Sequence, residues 1–432
     1  MSFTYLNGLG NELQSSALPN ILPISQNSPQ KVARGLYAEQ INASAFTAPR
    51  AENQRSWTYR IQPSVCHEGN LEKISLPHLC HRDFLDFVTP PTQFRWDPIP
   101  LPTRPTDFIN SLHLMCANGS PLQMQGAAIY KYACNQSMQD TYFYNADGEM
   151  VIVPYEGLLE FKSEFGNFEL SPGFIGVIPR GVKFQVLLKG THARGYLCEN
   201  FGRSFRLPEL GPIGANGLAN RRDFEIPVAA FEEQKKPCHL IAKFGGQTFS
   251  SEMKQSPLDV VAWHGTLYPF RYDLKKFNVI GSISYDHPDP SIFTVLTSPS
   301  ELPGTANMDF VAFAPRWLVM ENTFRPPYYH RNVMSEFMGL VEGEYDAKIG
   351  GGFVPGSSSL HNCMSAHGPD AQAFEKASNM ELNAQKLDNT MAFMFESRYI
   401  WQTSQWSLKE HPPQKDYRNC WEQLPKLFQS QN

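Results

Sequence analysis

Apolar residues along this chain come in short runs separated by turn signals. From Tyr130 onward MVIVPYEG, LLEFKSEFGNFEL, FIGVIPRGVKFQVLLKG and ARGYLCENFG succeed one another, rich in Val, Ile, Phe and Tyr and bounded by Gly, Pro, Asn or Asp. Runs of roughly four to eight such residues bury their side chains as strands, and a series of them predicts a β-sandwich or barrel. A second block of the same kind starts near Val279 with VIGSISYDHPDPSIFTVL and extends to MAFMFES. The first hundred residues, with SALPNILPISQNSP and FRWDPIPLPTRPTDF, predict extended surface segments and short strands. GPIGANGLANRRDFEIP is a Gly/Asn-rich loop, followed by a short helix in PVAAFEEQ. Other helix is expected only in AQAFEKASNMEL and in DYRNCWEQLPKLF, where Pro425 interrupts it.

The two blocks can be laid over one another. YFYNADGEMVIVPYEG aligns without a gap on YYHRNVMSEFMGLVEG, pairing Tyr142 with Tyr328, Phe143 with Tyr329 and Glu156-Gly157 with Glu342-Gly343. A loop three residues shorter in the second block then brings Pro172-Gly173 onto Pro355-Gly356. The identities are few, and the overlay predicts two related barrels. The expected division is residues 1–278, with a metal-free barrel-like block, and residues 279–432.

Composition narrows the class. The 37 Lys+Arg and 42 Asp+Glu leave a net charge of −5, without the basic excess of a nucleic-acid or membrane-surface binder. With 41% hydrophobic residues the chain can fill a large core, while 30 glycines, 34 prolines and only 18% charge argue against coiled coils. No run reaches the roughly 18 apolar residues of a membrane span, and MSFTYLNGLGNELQ lacks the pattern of a secretion signal, so the expected compartment is the cytoplasm. The eight cysteines stand singly with no C-x-x-C, which predicts reduced, mostly buried thiols.

Among twelve histidines, two groups invite a metal reading. CHEGNLEKISLPHLCH holds Cys66, His67, His78, Cys80 and His81, but its spacing fits no structural zinc pattern. RPPYYHRNVMSEF is more specific: it places His330 six residues before Glu336, and SSSLHNCMSAHGPD adds His361 and His367. Two imidazoles and one carboxylate form a facial triad, which holds Fe(II) and leaves positions open. Six residues of unbroken strand span about 20 Å, too far for two side chains to share an ion. The chain must therefore bend near Arg331 and Asn332 if both are ligands; the plain alternative is a Glu336–arginine ion pair and a loop histidine. In the overlay His330, Glu336 and His367 fall on Tyr144, Met150 and Phe184, and His361 on Ile178, so only the second block is armed and the third ligand is either histidine.

Those segments belong to longer ones, YLNGLGNELQSSALP, RGLYAEQINASAFTAPR, YDHPDPSIFTVL, PGTANMDFVAFAPRWLVMENTFRPPYYHRNVMSEFMGL and SLHNCMSAHGPDA, through which nearly the whole chain resembles the homogentisate 1,2-dioxygenases. The resemblance implies a cupin-like, mainly β architecture with a large N-terminal β domain, a C-terminal iron-bearing domain and a homo-hexamer (a dimer of trimers). It implies a non-haem Fe(II) enzyme of tyrosine and phenylalanine breakdown that opens the ring of homogentisate with O₂ to give maleylacetoacetate. The family's iron ligands fall on His330, Glu336 and His367, its proposed base on His287 of YDHPD, and a substrate-contacting tyrosine on Tyr345. His367 lies beside the substrate as well, and His361 is a further pocket residue. KIGGGF is one Gly longer than usual in this family, between Tyr345 and His361.

The implied chemistry suits these residue types. One carboxylate against Fe(II) favours a phenolate over a phenol, and a neutral imidazole such as His287, flanked by Asp286 and Asp289, can take the hydroxyl proton. Tyr345, helped by Arg331 or His361, can donate to the substrate's acetate group, although a surface ion pair is the simpler role for Arg331. Tyr328 and Tyr329 read as packing residues. Two rivals are a Zn or Mn cupin isomerase, which would want a phosphate-binding loop that the ligand region lacks, and a bicupin-like storage protein, which has no need of His/His/Glu.

Overall fold

The computed structural model describes residues 3–67, 69–79, 89–209, 218–233, 235–279, 284–286, 289–349 and 351–429. The expected mainly β architecture holds. A nine-stranded and a seven-stranded sheet build the first block, and a six-stranded sheet carries the second. Strands Leu13–Ser16, Tyr37–Asn42, Arg55–Arg60 and Val260–Gly265 make a separate four-stranded sheet. Among the described residues no helix is long and apolar enough to cross a membrane.

The overlay of the two blocks is matched by register. In the first, strand Glu149–Glu156 pairs with Phe174–Ile178, setting Met150 opposite Ile178. In the second, Ser335–Gly343 pairs with Ser358–His361, setting Glu336 opposite His361. These are the residues that the alignment equates. The turns agree too: Gly157 and Gly343 leave their strands at φ +80° and +74°, and Gly173 and Gly356 stand at +88° and +92°, a region that side-chain-bearing residues avoid. The two blocks share this register and these turns.

One hydrophobic core runs through both blocks, from Met150, Phe161 and Phe184 to Phe310, Phe337 and Phe395. Each block also lends the other a strand. Phe94–Trp96 extends the second block's sheet beside Ser358–His361, and Gln402–Thr403 extends the first block's sheet beside Leu112–Ser120. Polar groups fix the junction: the Tyr196 hydroxyl meets the carbonyl oxygens of Ser357 at 2.7 Å and Leu340 at 3.2 Å, and buried Lys131 donates to those of Asp97 and Gly356.

The helix expected in PVAAFEEQ is absent, and residues 228–233 are irregular. Glu232 is the reason. Its amide donates to Leu258 O and its carboxylate accepts from Tyr142, Lys162 and Ser256, contacts that hold the segment against the strands. Helix Ala371–Asn379 does form, capped by Asp370 accepting from the Ala373 amide, and the tail carries a single short turn, Asn419–Glu422. Of the seven described cysteines, Cys116, Cys134, Cys198 and Cys238 are buried, and all seven are free thiols.

Candidate metal centre

The site grows out of the bend between His330 and the Ser335–Gly343 strand. His330 and His367 form an isolated two-residue bridge, with backbone N···O distances of 3.0 and 3.1 Å. Residues 331–334 then leave the extended path, Asn332 Oδ1 accepting from the Met334 amide at 3.0 Å, and the chain re-enters a strand at Ser335. The bend required for both residues to reach one ion is present. Glu336, 7% exposed, lies at the start of that strand.

These elements bring His330, Glu336 and His367 together, one potential ligand atom from each lying within 4.8 Å of the others. Glu336 Oε2 is 3.0 Å from His367 Nε2, and Oε1 is 3.7 Å from His330 Nε2. The far side of each ring is anchored by backbone. His330 Nδ1–H donates to Tyr328 O at 2.8 Å and His367 Nδ1–H to Ser365 O at 2.9 Å, which turns both Nε2 atoms toward the carboxylate, where each donates a hydrogen bond in the cationic ring and offers a lone pair in the neutral one. Two imidazole lone pairs converging on a carboxylate fit a divalent cation. Burial opposes ionisation of Glu336, yet the two imidazoles hold its carboxyl far below the usual range, while hydrogen bonding to Glu336 raises His330. In the first block Phe184, which the overlay sets on His367, pairs with Phe143 and packs edge-to-face on it, 5.6 Å between centroids.

The trio opens into a cavity of about 490 Å³, a size suited to a small organic substrate. Tyr345 lines it, buried between Phe313 and Phe353, and burial pushes its phenol well above the usual range, so it stays protonated and can donate a hydrogen bond at neutral pH. His361 also lines it, 4% exposed and hydrogen-bonded through Nε2 to the Tyr417 hydroxyl at 2.9 Å. Burial, reinforced by His367, keeps it neutral. Arg331 is exposed at the wall and forms no ion pair among the described residues. Tyr328, expected only to pack, also hydrogen-bonds Asp289 on the cavity wall, and Tyr329 sits half-exposed against Phe374. His287 lies outside the described residues.

Sequence reasoning passed over Glu396 and Lys348 on this wall and read Asn332 only as a bend. Glu396 is Glu336's cross-strand neighbour, and burial followed by the Glu336 charge raises its carboxyl to about 7. Asn332 lies between the two carboxylates. Lys348, pushed down to about 8 by burial, donates to Gly368 O and stands over the Trp421 ring. Glu396 had a visible signal as the one charge in the apolar run MAFMFES. Of the other cluster, His67 bonds Asp259 and His78 bonds Ile109 O, and its described members form no metal-ligand group; Cys80 and His81 lie outside the described residues.

Residues 4–274 match the family model homogentisate 1,2-dioxygenase N-terminal, and residues 275–428 match homogentisate 1,2-dioxygenase C-terminal. The homogentisate 1,2-dioxygenase of Nitrobacter hamburgensis is 54% identical over 424 residues, 98% of this chain and 94% of that protein. Among solved structures, protein Ylba of E. coli is 11% identical over 74% of this chain and 96% of that one, with a TM-score of 0.31. A cupin 2 conserved barrel domain protein of Leptotrichia buccalis is 8% identical over 63% of this chain and 82% of that one, at 0.25.

Proposed function

The chain belongs to the homogentisate 1,2-dioxygenase family, a family of ring-cleaving, metal-dependent dioxygenases, and from that premise we propose that it opens the ring of homogentisate with O₂ to give maleylacetoacetate, at an Fe(II) held by His330, Glu336 and His367. The observation that carries the metal assignment is the convergence of two imidazole Nε2 atoms and one carboxylate at the wall of a cavity. Family membership gives the storage and isomerase readings no support. Bound Fe(II) supplies open coordination positions for substrate and O₂ and the electron transfer that lets triplet O₂ react with a singlet phenol.

The chain's residues do the rest. The backbone carbonyls of Tyr328 and Ser365 fix the tautomers of His330 and His367, so both rings present Nε2. Tyr345, protonated at working pH, is the proposed hydrogen-bond donor to substrate, with His361 and His367 beside it. His287 is the proposed base, taking the substrate's hydroxyl proton on an imidazole nitrogen. The apolar wall formed by Phe293, Phe313, Met338 and Phe353 excludes water around the ring. In line with the resemblance, the assembly is proposed to be a homo-hexamer, a dimer of trimers, working in the cytoplasm.

Oxygen uptake tests the reading. Protein loaded anaerobically with Fe(II) is expected to consume O₂ when homogentisate is added and to form maleylacetoacetate. No uptake by fully loaded protein would overturn it.

A further inference from the structure

The bend between His330 and Glu336 contains a side chain that serves two ends at once. Asn332 Oδ1 closes the turn by accepting from the Met334 amide. Its Nδ2 donates to Glu336 Oε1 at 3.2 Å and to Glu396 Oε1 at 2.7 Å. Those two carboxylates are direct cross-strand partners, an arrangement in which like charges repel. A neutral amide suits the place, because it has one N–H for each carboxylate and no charge to compete with a cation. The oxygens of Glu336 are thereby divided: Oε1 is engaged by Asn332, with His330 Nε2 more distant at 3.7 Å, and Oε2 faces His367 Nε2 at 3.0 Å.

We propose that Asn332 is a positioning residue of the metal centre: by engaging Oε1 it presents Oε2 as the coordinating atom, and by holding Glu396 it keeps a second carboxylate out of the coordination sphere. Glu336 then acts through one oxygen, which leaves the positions needed by substrate and O₂ free. The inference rests on the reading of His330, Glu336 and His367 as metal ligands.

Two substitutions separate this role from turn formation. Asn332→Ser retains an oxygen that can close the turn but loses both N–H groups and the reach to the carboxylates. Asn332→Asp keeps shape and turn acceptor while removing the N–H groups. Fe(II) affinity of the metal-free chain is measured by anaerobic competition with a colorimetric chelator, and coordination number by the visible spectrum of Co(II)-substituted protein. The Ser variant is expected to bind Fe(II) roughly 10–100-fold more weakly than wild type, the usual effect of losing a residue that orients a ligand, and both variants are expected to show a changed Co(II) spectrum. Wild-type Fe(II) affinity in the Ser variant, or a wild-type Co(II) spectrum in either folded variant, would reduce Asn332 to a turn residue and overturn the proposal. Failure of the wild-type chain to bind Fe(II) would instead bring down the ligand assignment beneath it.

Discussion

The imidazole of His361 lies flat on that of His367, with ring centroids 4.1 Å apart and planes 11° apart. His361 is also the register partner of Glu336, yet its Nε2 is committed to the Tyr417 hydroxyl. It therefore backs His367 with one face of its ring while its edge lines the cavity, where it is the proposed substrate contact.

His361→Phe preserves a flat ring for that stack and removes the hydrogen-bonding nitrogens. The variant is expected to keep its iron while KM for homogentisate rises roughly tenfold, the scale of one lost hydrogen bond in a buried site. Metal analysis with steady-state kinetics checks this, and loss of iron would make His361 a support of the centre instead of a substrate contact.

Gly343 ends the strand that carries Glu336. At φ +74° a Cβ would meet Asn389 O at 2.2 Å, so Gly343→Ala is expected to destabilise the chain by about 1–3 kcal/mol or more. Gly351 shares the positive φ, at +88°, but has nothing within 4 Å of its would-be Cβ, and Gly351→Ala is expected to cost about 1 kcal/mol. Thermal unfolding of the pair separates collision from backbone strain, and equal losses would contradict the geometry.

Tyr196→Phe removes a hydroxyl that reaches from the first block to Leu340 O and Ser357 O of the second. With the two carbonyls buried, the expected loss is about 1–3 kcal/mol, read as a lowered melting temperature. An unchanged melting temperature would show that the junction does not depend on this bond.

His113 stacks on Trp406, centroids 4.4 Å apart, and burial pushes its pKa down to about 4, with His78 and His411 adding to the shift. Between pH 6.5 and about 4 the unfolded chain holds the extra proton, so this contribution to stability is complete above pH 6.5 and is lost as pH falls. His113→Phe keeps the stack and removes the titration. Its melting temperature should fall less than wild type's between pH 7 and pH 5, and an equal fall would rule out His113 as a source of the acid sensitivity.

The strands of both blocks were legible because Gly, Pro and Asn mark their ends and a strand needs only local alternation of side chains. The bend at Asn332 was legible from geometry alone, since six residues of strand cannot bring His330 and Glu336 to one ion. Sequence spacing left His361 and His367 as alternatives for the third ligand, because the choice depends on the His330–His367 bridge, a non-local contact. Glu396 escaped for the same reason: it meets Glu336 through strand register across sixty residues of chain. The helix in PVAAFEEQ failed because Glu232 has stronger tertiary partners than a local helix would offer.

The central claim is that His330, Glu336 and His367 are the metal ligands, and Glu336→Gln tests it most directly. Gln retains the shape and one carbonyl oxygen but removes the charge that draws the cation. Iron per chain is measured after anaerobic equilibration with Fe(II), beside O₂ uptake on addition of homogentisate. Wild type should hold one iron and consume oxygen, whereas the folded variant should lose more than about 100-fold in iron affinity, beyond the usual effect of residues behind the ligands, and show no uptake. A Glu336→Gln protein that holds iron and turns over as wild type does would contradict the account.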